Sequence, residues 1–247
     1  MNMYNQFSLI YDRLIGQDYV SWAEYIEKIF AENGSSPKLV LDLACGTGSL
    51  CCVMAQRGYD MIGVDISADM LSVAAEKAAS QSLDIRFLNQ SMTEFELYGT
   101  VDAVICTLDA VNYLTESADL AKTFKLIKNY LNPNGLFIFD INTRHKLENV
   151  LDDNTFVFDE DDIFYTWENE YNRENHISTQ YFTFFVNENG RYCRFDEVHV
   201  QRAYSGDEIT SALEVAELTL IDTYDVLKFT PPEQSCEKAI FVAKSFC

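Results

Sequence analysis

The chain has 247 residues, enough for one large α/β domain or for one domain with a lid. Its 39 acidic and 18 basic side chains give a net charge of −21, and its one tight basic cluster, Arg191 and Arg194, is surrounded by acids, which argues against DNA, tRNA or rRNA as a partner. There is no run of about 18 apolar residues that would predict a membrane span, and the opening MNMYNQFSLIYDRL lacks the layout of a secretory signal, so a cytoplasmic protein is expected.

Residues 1–34 carry a helical pattern. Tyr19, Trp22, Ala23, Ile26 and Phe30 form one apolar stripe, which Asn33-Gly34 ends. From Lys38 strands and helices alternate. Residues 39–43 read as a buried strand, Leu50, Val53 and Met54 as a helical face, and residues 61–64 as a second strand. A helix follows from Ser67, with Met70, Leu71, Ala74, Ala75 and Ala78 facing inward. Residues 85–88 and 101–106 give the third and fourth strands, and Leu120, Phe124, Ile127 and Leu131 the next helix. Residues 136–141 form a fifth strand, introduced by the turn at Asn132-Pro133-Asn134-Gly135.

The pattern then changes, and residues 147–205 show no helical stripe. Ile163, Tyr165, Trp167 and Tyr171 share one strand face, Ile177, Tyr181 and Phe185 share a face of the next, and Asn189-Gly190 turns into a third strand through residues 191–204. This predicts an antiparallel β insertion. It emerges at the carboxyl end of the fifth strand, where open α/β sheets bind ligands, so a lid is expected. The run Asp159, Glu160, Asp161 and Asp162 reads as a solvated face, and His176 as an exposed turn residue. After the insertion Ser205 and Glu208 make a capping box, Ile209, Ala212, Leu213 and Ala216 a helical face, and residues 218–224 and 239–243 the last two strands.

The expected fold class is α/β: a seven-stranded, mostly parallel Rossmann-like sheet with helices on both faces, plus a small antiparallel β lid. The expected domains are a core of residues 1–146 and 206–247 and a lid of residues 147–205. The seven cysteines include no C-x-x-C pair, and Cys51 and Cys52 have no histidine partners, so reduced thiols and no metal site are expected.

The chemistry concentrates in VLDLACGTGS, residues 40–49. A buried strand enters a glycine-containing turn and a helix follows. Gly46 and Gly48 let the backbone pass close under a ligand, and Asp65 ends the next strand, where an acid can accept both ribose hydroxyls. Dinucleotides and S-adenosylmethionine both use this layout. A pyrophosphate would be repelled by Asp42 just before the glycines, whereas the ammonium of a methionine moiety would be attracted. The third glycine of the dinucleotide fingerprint is replaced by Cys51. Both features favour S-adenosylmethionine.

These residues resemble the first motif of class I S-adenosylmethionine-dependent methyltransferases (Asp42 to Gly48) and the second (Val64-Asp65-Ile66-Ser67 with Met70-Leu71). The segment Asn132 to Leu136 resembles the turn before their fifth strand, and Tyr11-Asp12 the opening of their small-molecule branch. The segment order matches from about residue 4 onward, and the insertion after the fifth strand is similar to that of a group of bacterial members. The resemblance implies roles by position. Asp42, Ala44, Cys45, Gly46 and Gly48 cradle the methionine part of S-adenosyl-L-methionine, with Tyr11 toward its carboxylate. Asp65 holds the ribose, and Ile66 and Met70 pack on the adenine. Gln90, Ser91 and Met92 contact the adenine edge, although many relatives carry an acid near Gln90 or Ser91. Thr107, Leu108 and Asp109 line the methyl-transfer side.

On the acceptor side, Asp109, Asn112, Tyr113 and Trp167 are the candidate substrate residues, and His199, His145 and Tyr113 the candidate catalytic ones, because imidazole titrates near neutrality. Residues 107–110 do not match the loop used on nucleobase amino groups, and no Pro-Cys nucleophile is present. The expected reaction is an in-line methyl transfer to a small-molecule nitrogen or oxygen, with S-adenosyl-L-homocysteine as product. Three alternatives stand beside it: a non-catalytic S-adenosylmethionine-binding module, an RNA methyltransferase and a nicotinamide oxidoreductase.

Overall fold

The computed structural model describes residues 5–246, with side-chain surroundings from Phe7 onward. The start of the N-terminal helical pattern and the Cys247 thiol lie outside the described residues. The helical pattern of residues 1–34 is two helices, α1 (Asn5–Ile15) and α2 (Tyr19–Glu32), and the apolar stripe lies on α2. They part at Gly16, which has φ +53°, and at Asp18, whose carboxylate accepts from the amides of Val20 and Ser21 and so restarts the helix.

The α/β core follows in chain order: β1 (Leu39–Leu43), α3 (Ser49–Gln56), β2 (Asp60–Asp65), α4 (Ala68–Ser80), β3 (Arg86–Asn89), β4 (Val101–Cys106), α5 (Ser117–Tyr130) and β5 (Leu131–Asn142). The expected turn at residues 132–135 lies within β5. Leu131 pairs with Val101 and the next partners are Leu136 and Ala103, so the extra residues bulge out, with Asn134 at φ +64°. Of the α4 residues expected inward, Leu71, Ala74 and Ala78 are buried, but Ala75 is exposed. The stripe that packs α4 is narrower than its run of small residues.

Beyond β5, residues 146–151 form a short π-helical segment, where no helix is predicted. Four strands follow, β6 (Thr155–Glu160), β7 (Ile163–Asn172), β8 (Ile177–Glu188) and β9 (Arg191–Arg202), in a simple antiparallel order. The prediction has three of them. β6 is an edge strand with four of its six residues exposed, so it carries no continuous apolar pattern. On β8 the expected residues do share a face, but it is the outer one. Tyr181 is 39% exposed, while Ser178, Gln180 and Phe184 face inward and are buried. His176 stands at φ +58° and is half-buried, not exposed, with its ring 3.1 Å from the Tyr171 hydroxyl.

Helix α6 (Gly206–Val215) carries the full capping box at Ser205 and Glu208, and β10 (Thr219–Asp225) and β11 (Lys238–Lys244) close the core. The main sheet has the order β10-β11-β5-β4-β1-β2-β3, and β11 is antiparallel to both of its neighbours. One apolar layer packs Phe124 and Ile127 of α5 and Ile209 and Leu213 of α6 on Val104, Phe137 and Phe139; the other packs Trp22, Ile26, Leu50 and Met54 on Val40, Ile105 and Ile138. A parallel sheet covered on both faces leaves its carboxyl edge as the place for a ligand. The second sheet is held at that edge. Asn112 donates to the carbonyls of Asn142 (3.0 Å) and Arg202 (2.9 Å), and Phe7 and Ile10 of α1 join Phe184 and Phe195 in a small apolar cluster. No helix among the described residues is long and apolar enough to cross a membrane.

Candidate active site

The crevice at the end of β1 is shaped by three left-handed residues, Ala44 (φ +62°), Gly46 (φ +54°) and Gly48 (φ +68°). The two glycines serve different ends. A Cβ on Gly46 would find its nearest neighbour, Cε1 of Tyr11, at 3.9 Å. A Cβ on Gly48 would stand 2.8 Å from that of Ala74 and 3.0 Å from the ring of Phe87. Gly46 thus lies beneath the Tyr11 ring, whereas Gly48, read above as a ligand contact, is a packing position that lets α3 sit against α4 and β3. Cys45 turns its thiol toward Gly63, away from any role the sequence assigns it.

Asp65 is placed by its own hydrogen bonds. One oxygen accepts from the amide of Gly46 and the other from that of Ser67, both at 2.8 Å. Asn89 steadies the same corner, donating to the carbonyls of Asp65 (3.1 Å) and Ile66 (2.8 Å), and Ile66 is left 74% exposed. Met70 lies in the first turn of α4, with its amide donating to the capping hydroxyl of Ser67. The Gln90 side-chain oxygen accepts from Glu96, and the Ser91 hydroxyl serves Thr93. Both oxygens thus already serve the chain's own turn after β3. Met92 packs against the core from this side.

Asp42 is 2% exposed and accepts from the Cys51 thiol at 3.2 Å; among the described residues no cation lies within 4 Å of it. Burial pushes its carboxyl up to about 7. Sequence reading does not foresee the role of Asp12. One of its oxygens accepts from Thr47 (2.6 Å) and Ser49 (3.0 Å), and the other from Lys77 (2.6 Å), so α1 is tied across the glycine turn. The only signal in the sequence is that Asp12 adjoins Tyr11.

On the β4 side, Thr107 is buried and Leu108 and Asp109 are both left-handed, at φ +60° and +56°. Asp109 is a hub. It accepts from Lys238 (2.5 Å) and Gln201 (2.6 Å), and its amide donates to Asp140 (3.0 Å). Tyr113 and His199 meet across the gap between core and second sheet, Oη to Nδ1, at 2.6 Å. Phe7, Tyr113 and Phe182 are in edge-on contact with the His199 ring. Burial lowers the pKa of His199, with Asp109 acting weakly the other way, and burial raises that of Tyr113. Tyr113 is nonetheless 43% exposed.

Three of the expected acceptor-side residues sit apart from that pair. Asn112 is fully buried, and its oxygen also accepts from the amide of Asn142 at 2.9 Å, so every polar atom of its amide is engaged with backbone. It is a clamp between β5 and β9, not a pocket wall. Trp167 stacks on Phe182 (5.4 Å, 17°) inside the second sheet, with its indole N–H buried and unpartnered. His145 lies on the turn after β5 with Nδ1 3.4 Å from the Asn149 amide.

The profile of the methyltransferase-domain family matches residues 40–135. A Geobacillus sp. (strain WCH70) protein named as a candidate methyltransferase is 33% identical over 98% of this chain and 99% of its own length. YqeM of Bacillus subtilis (strain 168), also named as a candidate methyltransferase, is 34% identical over 98% and 97%. The crystal structure of an S-adenosylmethionine-dependent methyltransferase from Clostridium acetobutylicum ATCC 824 is 37% identical, covers 100% of both chains and superposes with a TM-score of 0.92. The chain belongs to the class I S-adenosylmethionine-dependent methyltransferases.

The crevice of this methyltransferase fits that cofactor. Among the described residues its buried Asp42 carboxylate has no cation, the methionine ammonium is one, and the exposed Ile66 offers an apolar face next to Asp65, an acid that would accept ribose hydroxyls. A cleft of about 1020 Å³ beside α5 and α6, with Lys128, Thr210 and Phe246 in its lining, includes none of these residues.

Proposed function

We propose that the chain transfers a methyl group from S-adenosyl-L-methionine to a nitrogen or oxygen of a small molecule held between the core and the second sheet, and that it works in the cytoplasm. The observation that carries this reading is the Tyr113–His199 pair at 2.6 Å. When bound, the cofactor supplies the methyl group on a sulfonium already activated for displacement, so the protein's tasks are alignment and proton handling. Well-oriented reactants gain about 7–11 kcal/mol from alignment alone.

Lowered by burial, His199 is neutral at pH 7 and can take a proton. Tyr113 can accept a hydrogen bond from an acceptor N–H or O–H and relay it to the ring. Phe7, Phe182 and the ring edge of Tyr113 exclude water around the imidazole. Asp109 fixes the end of the loop that carries Tyr113. Support from relatives extends to the acceptor class. A glycine/sarcosine N-methyltransferase from Halorhodospira halochloris is 32% identical over 108 residues, 41% of this chain. The acidic surface gives no support to a nucleic-acid acceptor.

The test incubates the enzyme with cofactor and fractionated metabolite pools and follows S-adenosyl-L-homocysteine by mass spectrometry. Product is expected from at least one pool. Loss of general acid–base assistance in His199→Ala and Tyr113→Phe should slow turnover by about 10²–10⁴-fold while S-adenosyl-L-homocysteine binding stays intact. Tight binding with no methylated product from any pool would replace this reading with a non-catalytic binding module.

A further inference from the structure

A second cleft, of about 770 Å³, opens beside the carboxyl ends of β5 and β10 and the start of β11, lined among others by Lys146, Lys228 and Lys238. In a chain with only 18 basic residues, three converge here. Two of the three are already neutralised: Lys228 pairs with Asp225 (2.5 Å), and Lys238 with Asp109 (2.5 Å) and Asp140 (3.3 Å). Lys146 is different. Among the described residues, the only hydrogen bond of its ammonium is to the side-chain oxygen of Asn142 at 3.2 Å, and no described carboxylate lies within 4 Å of it. A half-buried ammonium with one neutral partner carries a desolvation cost that an entering anion would relieve. Its pKa is lowered, first by burial and then by the positive charge of Lys238, with the more distant Asp109, Glu237 and Asp140 only partly offsetting them. The acids on the cleft do not supply one. Asp225 is engaged with Lys228 and Cys236, and Glu233 and Glu237 are exposed at the rim.

Hydrogen-bonded side chains link the wall of the cleft to the acceptor side. Asn142, which holds Lys146, also donates to Gln201 at 3.0 Å; Gln201 donates to Asp109; and Lys238 bonds Asp109 from the cleft side. One row of hydrogen-bonded side chains therefore runs from the neighbourhood of Tyr113 and His199 to Lys146. We propose that Lys146 receives an anionic group, a carboxylate or a phosphate, of the acceptor molecule whose nucleophile lies at Tyr113 and His199. This rests on the reading of that pair as the acceptor side. The acceptor is then a small anion-bearing amine or alcohol, and Lys146 selects it by charge at the end distant from the reacting atom.

The full chain, loaded with S-adenosyl-L-homocysteine, is unfolded thermally with inorganic phosphate or with acetate, chloride holding the ionic strength constant. Wild type is compared with Lys146→Met, Lys146→Arg and Lys228→Met. The expected result is a rise in the midpoint with one anion, which identifies the group, lost in Lys146→Met and kept in Lys146→Arg and Lys228→Met. Equal rises in wild type and Lys146→Met, or none with either anion, overturn the proposal. The midpoint rise from S-adenosyl-L-homocysteine alone reports folding and cofactor binding in every variant, so that reading fails separately. A Lys146-dependent rise with no methylated product from any pool would leave an anion site and overturn its assignment to the acceptor.

Discussion

In the proposed cofactor site, Asp42 links stability to cofactor binding through one carboxylate. Unfolded, it titrates near about 4; folded, burial holds it near about 7. Between those values the folded chain binds more protons than the unfolded chain. The contribution of Asp42 to stability is therefore complete below the unfolded value and is lost as pH rises through about 7. The methionine ammonium requires the ionised form, so cofactor binding below about pH 7 should release a proton. S-adenosyl-L-homocysteine affinity is expected to strengthen as pH rises toward 7. Calorimetry in two buffers of different ionisation enthalpy reads the released proton directly. In Asp42→Asn the release should vanish and affinity fall about 10–100-fold, the worth of a hydrogen bond to a charged group. No proton release in the wild type would remove Asp42 from the ammonium site. Asp42 and Asp65 are legible in the sequence because a strand, a tight turn and a helix fix where their side chains emerge. Asp12 and Lys238 are not, because their partners Thr47 and Asp109 are distant in the chain and only the fold brings them near.

Elements with an internal signal were easier to read than elements without one. Helix α2 announces itself by its stripe and α6 by its capping box. Strand β6 has no such signal, and β8 has apolar residues on both faces, so the sequence shows a strand without showing which side is inward. The start of α3 is a related case. The glycine pair reads as one ligand-binding device, but only one member lies under Tyr11. Gly48→Ala forces a left-handed residue and drives a Cβ into Ala74, so a loss of about 2–5 kcal/mol is expected. Gly46→Ala carries only the backbone cost, about 1–2 kcal/mol, and its larger effect should fall on cofactor affinity. Thermal unfolding of the two variants without ligand checks the order, and an equal or reversed ranking would refute the division of roles.

At the scale of the molecule, the mostly parallel sheet followed from the alternation of strands and helices, and the second sheet from its position after β5. How the two sheets are joined did not, because the joint is made by side chains that the sequence presents as ordinary loop residues. Asn112 shows this most clearly. From its place after β4 it reads as a pocket residue. In the fold its amide donates to the carbonyls of Asn142 and Arg202 and accepts from the amide of Asn142, so it fastens the insertion to the core. Removing it takes a hydrogen bond from three backbone groups, and each one left unsatisfied costs about 1–3 kcal/mol. Asn112→Ala should therefore cost at least about 3 kcal/mol of stability. Asn112→Asp should be no better, because a carboxylate would face the two carbonyls with no donor. A pocket residue would behave in the opposite way: KM for the acceptor would change and the midpoint of unfolding would hold. Measuring the midpoint and KM on both variants separates the roles. A stable Asn112→Ala protein with altered KM would return this residue to the substrate pocket and leave the joint between the sheets to the Gln201–Asp109 and Gln201–Asn142 bonds.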